Sequence, residues 1–138
     1  MNKKIIVLLC ITFFTLTNCA VTDSGYRKKS ETLIVYYFHR TLRCSSCLLL
    51  EELTRDTLTT GFDAQVKKGK IQLSVINIEE TGNTHFEEHY NLTNQSVVLS
   101  MVVDGRELKW KNLTEVWDHL HEREQLMDYI ENEIRIFI

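Results

Sequence analysis

The chain has 138 residues, of which 43% are apolar and 25% charged, and its net charge is −3. This length suits a single domain, and the composition is that of a folded globular protein rather than a disordered one. The basic residues form no cluster with interleaved aromatic residues, which argues against a nucleic-acid partner.

The N-terminal residues have the pattern of a secretory signal. Lys3 and Lys4 precede an apolar run, Ile5 to Leu16, that is too short to span a bilayer. The sequence Leu16-Thr17-Asn18-Cys19 is similar to a bacterial lipobox, which directs lipid attachment to the cysteine and cleavage ahead of it. An ordinary cleaved signal with an incidental cysteine is the alternative.

These features predict the domain organisation and the location. Residues 1–18 are a lipoprotein signal peptide, residues 19–30 are the lipidated Cys19 and a polar tether, and residues 31–138 are the folded domain. The protein is expected to be lipid-anchored in the cell membrane, facing the extracytoplasmic side. Cleavage leaves Cys44 and Cys47 as the two uncapped cysteines, which suits an oxidising compartment.

The first half of the folded domain predicts alternating strands and helices. A β-branched and aromatic run over 32–38 predicts a buried central strand. Apolar residues at helical spacing from Ser45 predict a helix that ends at Gly61. A second strand is expected over 70–78, and a short helix over 84–90.

The second half predicts a hairpin and a closing helix. A third strand over 96–103 is followed by the turn signal Asp104-Gly105 and a fourth strand over 106–110. Asn112 with Glu115 three residues later has a capping-box pattern, which predicts the start of the last helix. The order β-α-β-α-β-β-α indicates a three-layer α/β sandwich with a central mixed four-stranded sheet.

Cys44 and Cys47 form a Cys-x-x-Cys motif at the junction of the first strand and the first helix. With this motif, the order of elements resembles the thioredoxin-like superfamily from Thr32 to about Ile134. The stretch "VINIEETGNTHFEEHYNLTNQS" and the hairpin "VVDGRELKW" are similar to the corresponding parts of that family. The resemblance implies a thiol–disulfide oxidoreductase with a redox-active cysteine pair.

The sequence departs from the family pattern near the cysteines. Arg43 stands where thioredoxins carry Trp, Ser45-Ser46 replaces Gly-Pro, and Ser96 occupies the place of the family's cis-proline. A cis bond before a residue other than proline costs about 2.5–4 kcal/mol. We therefore expect the Gln95–Ser96 bond to be trans, with the Ser96 hydroxyl free to bond a cysteine sulfur or a ligand.

The position of Cys44 predicts reactivity. A helix N-terminus favours a thiolate, so Cys44 is expected to be the exposed, attacking thiol, and Cys47, one turn further, the buried, resolving one. Positive charge at His39, Arg40 and Arg43 is expected to support the thiolate and make the pair more oxidising. The alternative is that both arginines point into solvent.

The proton acceptor that the resemblance implies has no counterpart in the first strand. Thioredoxins keep a buried Asp in the first strand, whereas "TLIVYYF" contains no acid. Glu51 or Glu52 would then have to assist, or proton transfer proceeds without an acid.

The expected partners follow from the exchange chemistry. They are client protein or small-molecule disulfides and thiols, together with a membrane thiol–electron carrier; no cofactor and no metal are assigned. One alternative is a thiol-based metal or metalloid binder, in which Cys44, Cys47 and His39 supply three ligands of the four that zinc favours. The other is a thioredoxin-like interaction module whose disulfide is inert.

Overall fold

The structure is a computed structural model that describes residues 29–138. The predicted signal peptide over 1–18, Cys19 and most of the predicted tether lie outside the described residues. Within residues 29–138, no helix is long and apolar enough to cross a membrane.

The described chain forms four strands, four α-helices and one 3-10 helix. In chain order these are β1 (Glu31–His39), α1 (Ser45–Gly61), α2 (Asp63–Lys67), β2 (Ile71–Asn77), α3 (His85–His89), β3 (Ser96–Val103), β4 (Arg106–Asn112), the 3-10 helix (Thr114–Trp117) and α4 (Arg123–Phe137). The four predicted strands and the predicted helices over 45–61 and 84–90 are confirmed, whereas α2 and the 3-10 helix were not predicted.

The sheet is mixed and four-stranded, as the sequence predicts. Its strand order is β2-β1-β3-β4. β1 pairs in parallel with β2 and antiparallel with β3, and β3 pairs antiparallel with β4. β1 is therefore a central strand, which explains why its side chains are apolar on both faces.

The two faces of the sheet bury different sets of side chains. Leu33, Val35 and Tyr37 of β1 belong to the larger core, which also contains the apolar faces of α1 and α4. Phe38, with the opposite parity, belongs to a smaller core with Tyr90 just after α3. The helices thus lie on both faces of the sheet, an arrangement compatible with an α/β sandwich.

The last helix starts later than the capping-box pattern predicts. Asn112 ends β4, and its amide donates to the carbonyl of Tyr90 at 3.3 Å instead of capping a helix. Leu113, the next residue, is fully buried and bonded to β3 through its backbone. Because core packing continues past the strand, the α-helix is postponed to Arg123, and Glu115 lies in the 3-10 helix.

The predicted hairpin turn is confirmed. Asp104 and Gly105 have φ values of 50° and 79°, as a two-residue hairpin loop of this twist requires at both positions. The turn also holds the start of the described chain: the Ser30 N–H donates to Asp104 Oδ1 at 2.9 Å, and the Asp104 N–H donates to the Ser30 carbonyl at 2.8 Å.

A carboxylate on β4 joins α3 to the sheet. Glu107 accepts hydrogen bonds from the hydroxyls of Tyr90 (2.6 Å) and Ser100, and His89 Nε2 lies 2.7 Å from its other oxygen. Burial raises the pKa of the Glu107 carboxyl, but the hydrogen bonds from Ser100, Tyr90 and His89 together bring it below its usual value. The ionised carboxylate is therefore the form that this network stabilises.

We predict that Glu107→Gln lowers the free energy of unfolding at neutral pH by about 1–2 kcal/mol, because the charge-assisted hydrogen bonds are weakened. The lowered pKa in the folded state means that this contribution is present above the ordinary carboxyl pKa and is lost as the pH falls through the folded value. Denaturant unfolding at several pH values measures both effects. The control is Glu88→Gln, on the exposed side of α3; equal losses in the two variants would contradict the prediction.

Candidate functional site

The cysteine pair lies where β1 passes into α1. β1 ends at His39, a loop follows, and Cys44 is the N-cap residue of α1 with extended backbone angles. Cys44 and Cys47 are joined by a disulfide, with their Cα atoms 5.1 Å apart. The sulfur of Cys44 also accepts a hydrogen bond from the Cys47 N–H at 3.2 Å. Cys44 thus fills the place that Ser, Thr or Asp takes at most helix starts.

The two sulfur-bearing residues differ in their access to solvent. Cys44 is exposed, whereas Cys47 is only 2% exposed and packs in the interior. The expected difference in accessibility is therefore present, although the roles of attacking and resolving thiol stay predictions. An external reactant would meet Cys44 first.

The start of α1 favours negative charge on the Cys44 sulfur. The first turn of α1 contains no acidic residue, so the free N–H groups and the positive end of the helix dipole are not offset there. When the disulfide is reduced, this environment stabilises a thiolate at Cys44 relative to a thiol.

Tyr37 of β1 contacts the first turn of α1. The sequence did not identify it as a residue of the site. Its ring is fully buried, and its hydroxyl donates to the carbonyl of Cys47 at 2.6 Å. Burial raises the pKa of Tyr37, and the nearby Arg43 opposes this only in part. The phenol therefore stays neutral, and its hydrogen bond holds the first turn of α1 against β1.

Arg43 is held between an aromatic ring and a carboxylate. Its guanidinium carbon lies 5.6 Å from the centre of the Tyr37 ring, and its side chain is 23% exposed. The guanidinium forms an ion pair with Glu51, which also pairs with Arg55 at 2.9 Å. Burial raises the pKa of the Glu51 carboxyl, but the two guanidinium groups bring it below its usual value.

Arg40 and His39 organise the loop between β1 and α1. Arg40 contacts Glu79 at 3.4 Å and Glu87 at 2.5 Å, and the N–H of Thr41 donates to Glu79 at 2.9 Å. His39 is half-buried, with Nδ1 2.9 Å from the Arg40 carbonyl. The structure thus gives each arginine a carboxylate partner. The two arginines therefore neither point freely into solvent nor carry an unpaired positive charge towards Cys44.

The segment that carries Gln95 and Ser96 lies at the same end of the sheet as this loop, because Ser96 is the register partner of Phe38. No peptide bond is cis within residues 29–138, so the Gln95–Ser96 bond is trans, as expected. The expectation of a free Ser96 hydroxyl is wrong. It donates to the carbonyl of Asn94 at 2.9 Å, because a serine hydroxyl easily reaches a nearby backbone group. The Gln95 carbonyl accepts from the indole of Trp117 at 2.9 Å.

The remaining expectations concern an acid and a metal ion. Glu51 is tied to Arg43 and Arg55, and Glu52 pairs with Arg123 at 2.9 Å on the exposed side of α1. In the part of the chain that the structure describes, no group of three or more His, Cys, Asp or Glu side chains is arranged to hold a metal ion.

Comparison with known proteins adds no family assignment. No protein-family model matches the chain, and no curated protein and no solved structure matches it. The mixed α/β fold and the disulfide-bonded Cys-x-x-Cys pair are compatible with a thioredoxin-like protein and with thiol–disulfide chemistry.

Proposed function

We propose that the chain is a thioredoxin-like thiol–disulfide exchange protein. The observation that carries this proposal is the Cys44–Cys47 disulfide at the N-terminus of α1, with one cysteine exposed and the other buried. A ring closed by residues so near in sequence constrains little chain entropy in the unfolded state. Stabilisation of the fold therefore does not account well for the presence of this disulfide.

The geometry supports a two-step exchange. In the oxidising direction, a client thiolate attacks the exposed Cys44 sulfur, the Cys44–Cys47 bond breaks, and Cys47 leaves as a thiolate. A second client thiolate then attacks the client sulfur of this mixed disulfide and releases Cys44 as a thiolate. The client gains a disulfide, and its two electrons reside in the reduced cysteine pair.

The reverse direction uses the same atoms. The Cys44 thiolate attacks a client disulfide and expels one client thiolate. Cys47, once deprotonated, then attacks Cys44 and expels the other. A membrane thiol–electron carrier would restore the starting state in either direction.

The proposed location rests on the N-terminal sequence pattern. The signal-like residues 1–18 and the lipobox-like Leu16–Cys19 favour a lipid-anchored protein on the extracytoplasmic side of a bacterial membrane. Such compartments allow disulfides to persist, which suits the oxidised pair.

We predict that the protein accelerates the reduction of insulin by dithiothreitol and that Cys44→Ser abolishes this acceleration, because the accessible sulfur is lost. Insulin turbidity measures the rate, and metal analysis of the same sample tests the alternative of metal binding. Replacement of the exposed Ser45 by Ala is the control and should retain the activity. A wild-type protein without acceleration that carries one zinc ion per chain would contradict the proposal.

We predict that Cys47→Ser accumulates a mixed disulfide between Cys44 and a client, because the resolving thiol is missing. Non-reducing gels before and after dithiothreitol treatment measure the adduct. The matched variant is Cys44→Ser, which should form little adduct because Cys47 is buried. Adducts formed mainly by Cys47 in the Cys44→Ser protein would reverse the two roles.

We predict that Cys19→Ala moves the protein from the membrane fraction to the soluble fraction, because the lipid-bearing residue is lost. Fractionation followed by immunoblotting measures the distribution. Cys10→Ala, inside the segment expected to be removed, is the control and should leave the protein in the membrane fraction. Retention of the Cys19→Ala protein in the membrane would contradict the lipid anchor.

A further inference from the structure

The charges nearest the disulfide form a connected set rather than isolated side chains. Arg43 directly precedes Cys44, and its guanidinium is paired with Glu51, which is in turn paired with Arg55. We propose that Glu51 is a positioning residue that offsets the charge of Arg43 and so holds the Cys44–Cys47 pair at a more reducing potential than Arg43 alone would give. This inference rests on the proposed function, because it assigns a regulator of the same site.

The position of Glu51 follows from the helix. It comes four residues after Cys47, so the two lie on one face of α1, one turn apart. Its side chain is only 18% exposed. A carboxylate that is shielded from water acts on neighbouring charges more strongly than an exposed one, because screening by solvent and salt is weaker.

The position of Arg43 is restrained from two sides. The ring of Tyr37 lies 5.6 Å from the guanidinium carbon, and the Tyr37 hydroxyl bonds the Cys47 carbonyl at 2.6 Å. The guanidinium therefore lies beside the first turn of α1, where its charge acts on Cys44. The carboxylate of Glu51 is ion-paired with that same guanidinium, so its negative charge opposes the effect of Arg43 on the sulfur.

The consequence for redox chemistry has a definite sign. Only the reduced pair contains a thiolate, so any positive charge near Cys44 stabilises the reduced form and makes the disulfide more oxidising. A negative charge has the opposite effect. Loss of the Glu51 carboxylate should therefore increase the acidity of Cys44 and raise the reduction potential of the pair.

Glu52 provides a matched comparison on the same helix. It carries the same charge one residue away, but its side chain is 58% exposed and pairs with Arg123 of α4 at 2.9 Å. Glu51→Gln and Glu52→Gln change the net charge equally. They differ in whether the lost carboxylate faces Arg43.

The experiment measures two quantities that need no client. Ultraviolet thiolate absorbance gives the pKa of Cys44 in the reduced protein, and equilibration with glutathione buffers gives the ratio of reduced to oxidised protein. We expect Glu51→Gln to lower the pKa of Cys44 by about half a unit to one unit. The reduced form should be favoured about three- to tenfold at slightly alkaline pH, where Cys44 is ionised. Glu52→Gln should leave both quantities near those of the wild-type protein.

Two further variants separate the charge effect from a structural one. Glu51→Asp keeps the carboxylate and should restore values near those of the wild-type protein. Arg43→Gln should raise the pKa of Cys44, and it tests the same ion pair if Glu51→Gln folds poorly. Equal shifts in Glu51→Gln and Glu52→Gln, or a raised pKa of Cys44 in Glu51→Gln, would overturn the inference. If the pKa and the reduced fraction change as expected but the wild-type protein does not accelerate insulin reduction, the proposed function is contradicted. The effect of the Glu51 charge on the cysteine pair is then confirmed without that function.

Discussion

The disulfide site depends on β1 being hydrogen-bonded on both sides. Parallel pairing with β2 and antiparallel pairing with β3 satisfy the backbone of this strand, and Val35 and Tyr37 are fully buried on one of its faces. The end of β1 therefore has a fixed position. α1 is fixed as well, because Leu50 and Leu53 pack in the same core as Val35 and Tyr37. Between two fixed elements, Cys44 at the helix start is left on the surface while Cys47 is drawn inside.

The polar environment beneath the cysteines differs from what the thioredoxin-like resemblance implies. A neutral phenol, Tyr37, occupies β1 in a chain whose first strand lacks the expected acid, and the carboxylate of Glu51 is supplied by α1 instead. Because Glu51 already pairs with two guanidinium groups, its low pKa makes it a poor proton acceptor. Its charge then matters more than its capacity to take a proton.

The parts of the fold that were predictable are those decided by local pattern. Short apolar runs rich in β-branched residues predicted the buried strands. Asp104-Gly105 predicted the turn because few other residues accept positive φ at both positions. The start of α4 was not predictable, since the burial of Leu113 against β3 is a tertiary effect that overrides a capping pattern. The difference in solvent exposure between Cys44 and Cys47 was predictable, because the two residues lie at different positions in the first turn of a helix. The carboxylate partners of Arg40 were not visible, because Glu79 and Glu87 are distant in sequence and meet it only after folding.

The hydrogen bonds between Ser30 and Asp104 have a consequence for orientation. They hold the entering chain at the end of the sheet where β1 begins, whereas Cys44 follows the opposite end of that strand. A strand of this length separates the two ends by about 30 Å. The first described residues thus lie at one end of the domain, and the Cys44 sulfur lies at the other. A large folded reactant can therefore approach Cys44 without meeting the first residues that the structure describes.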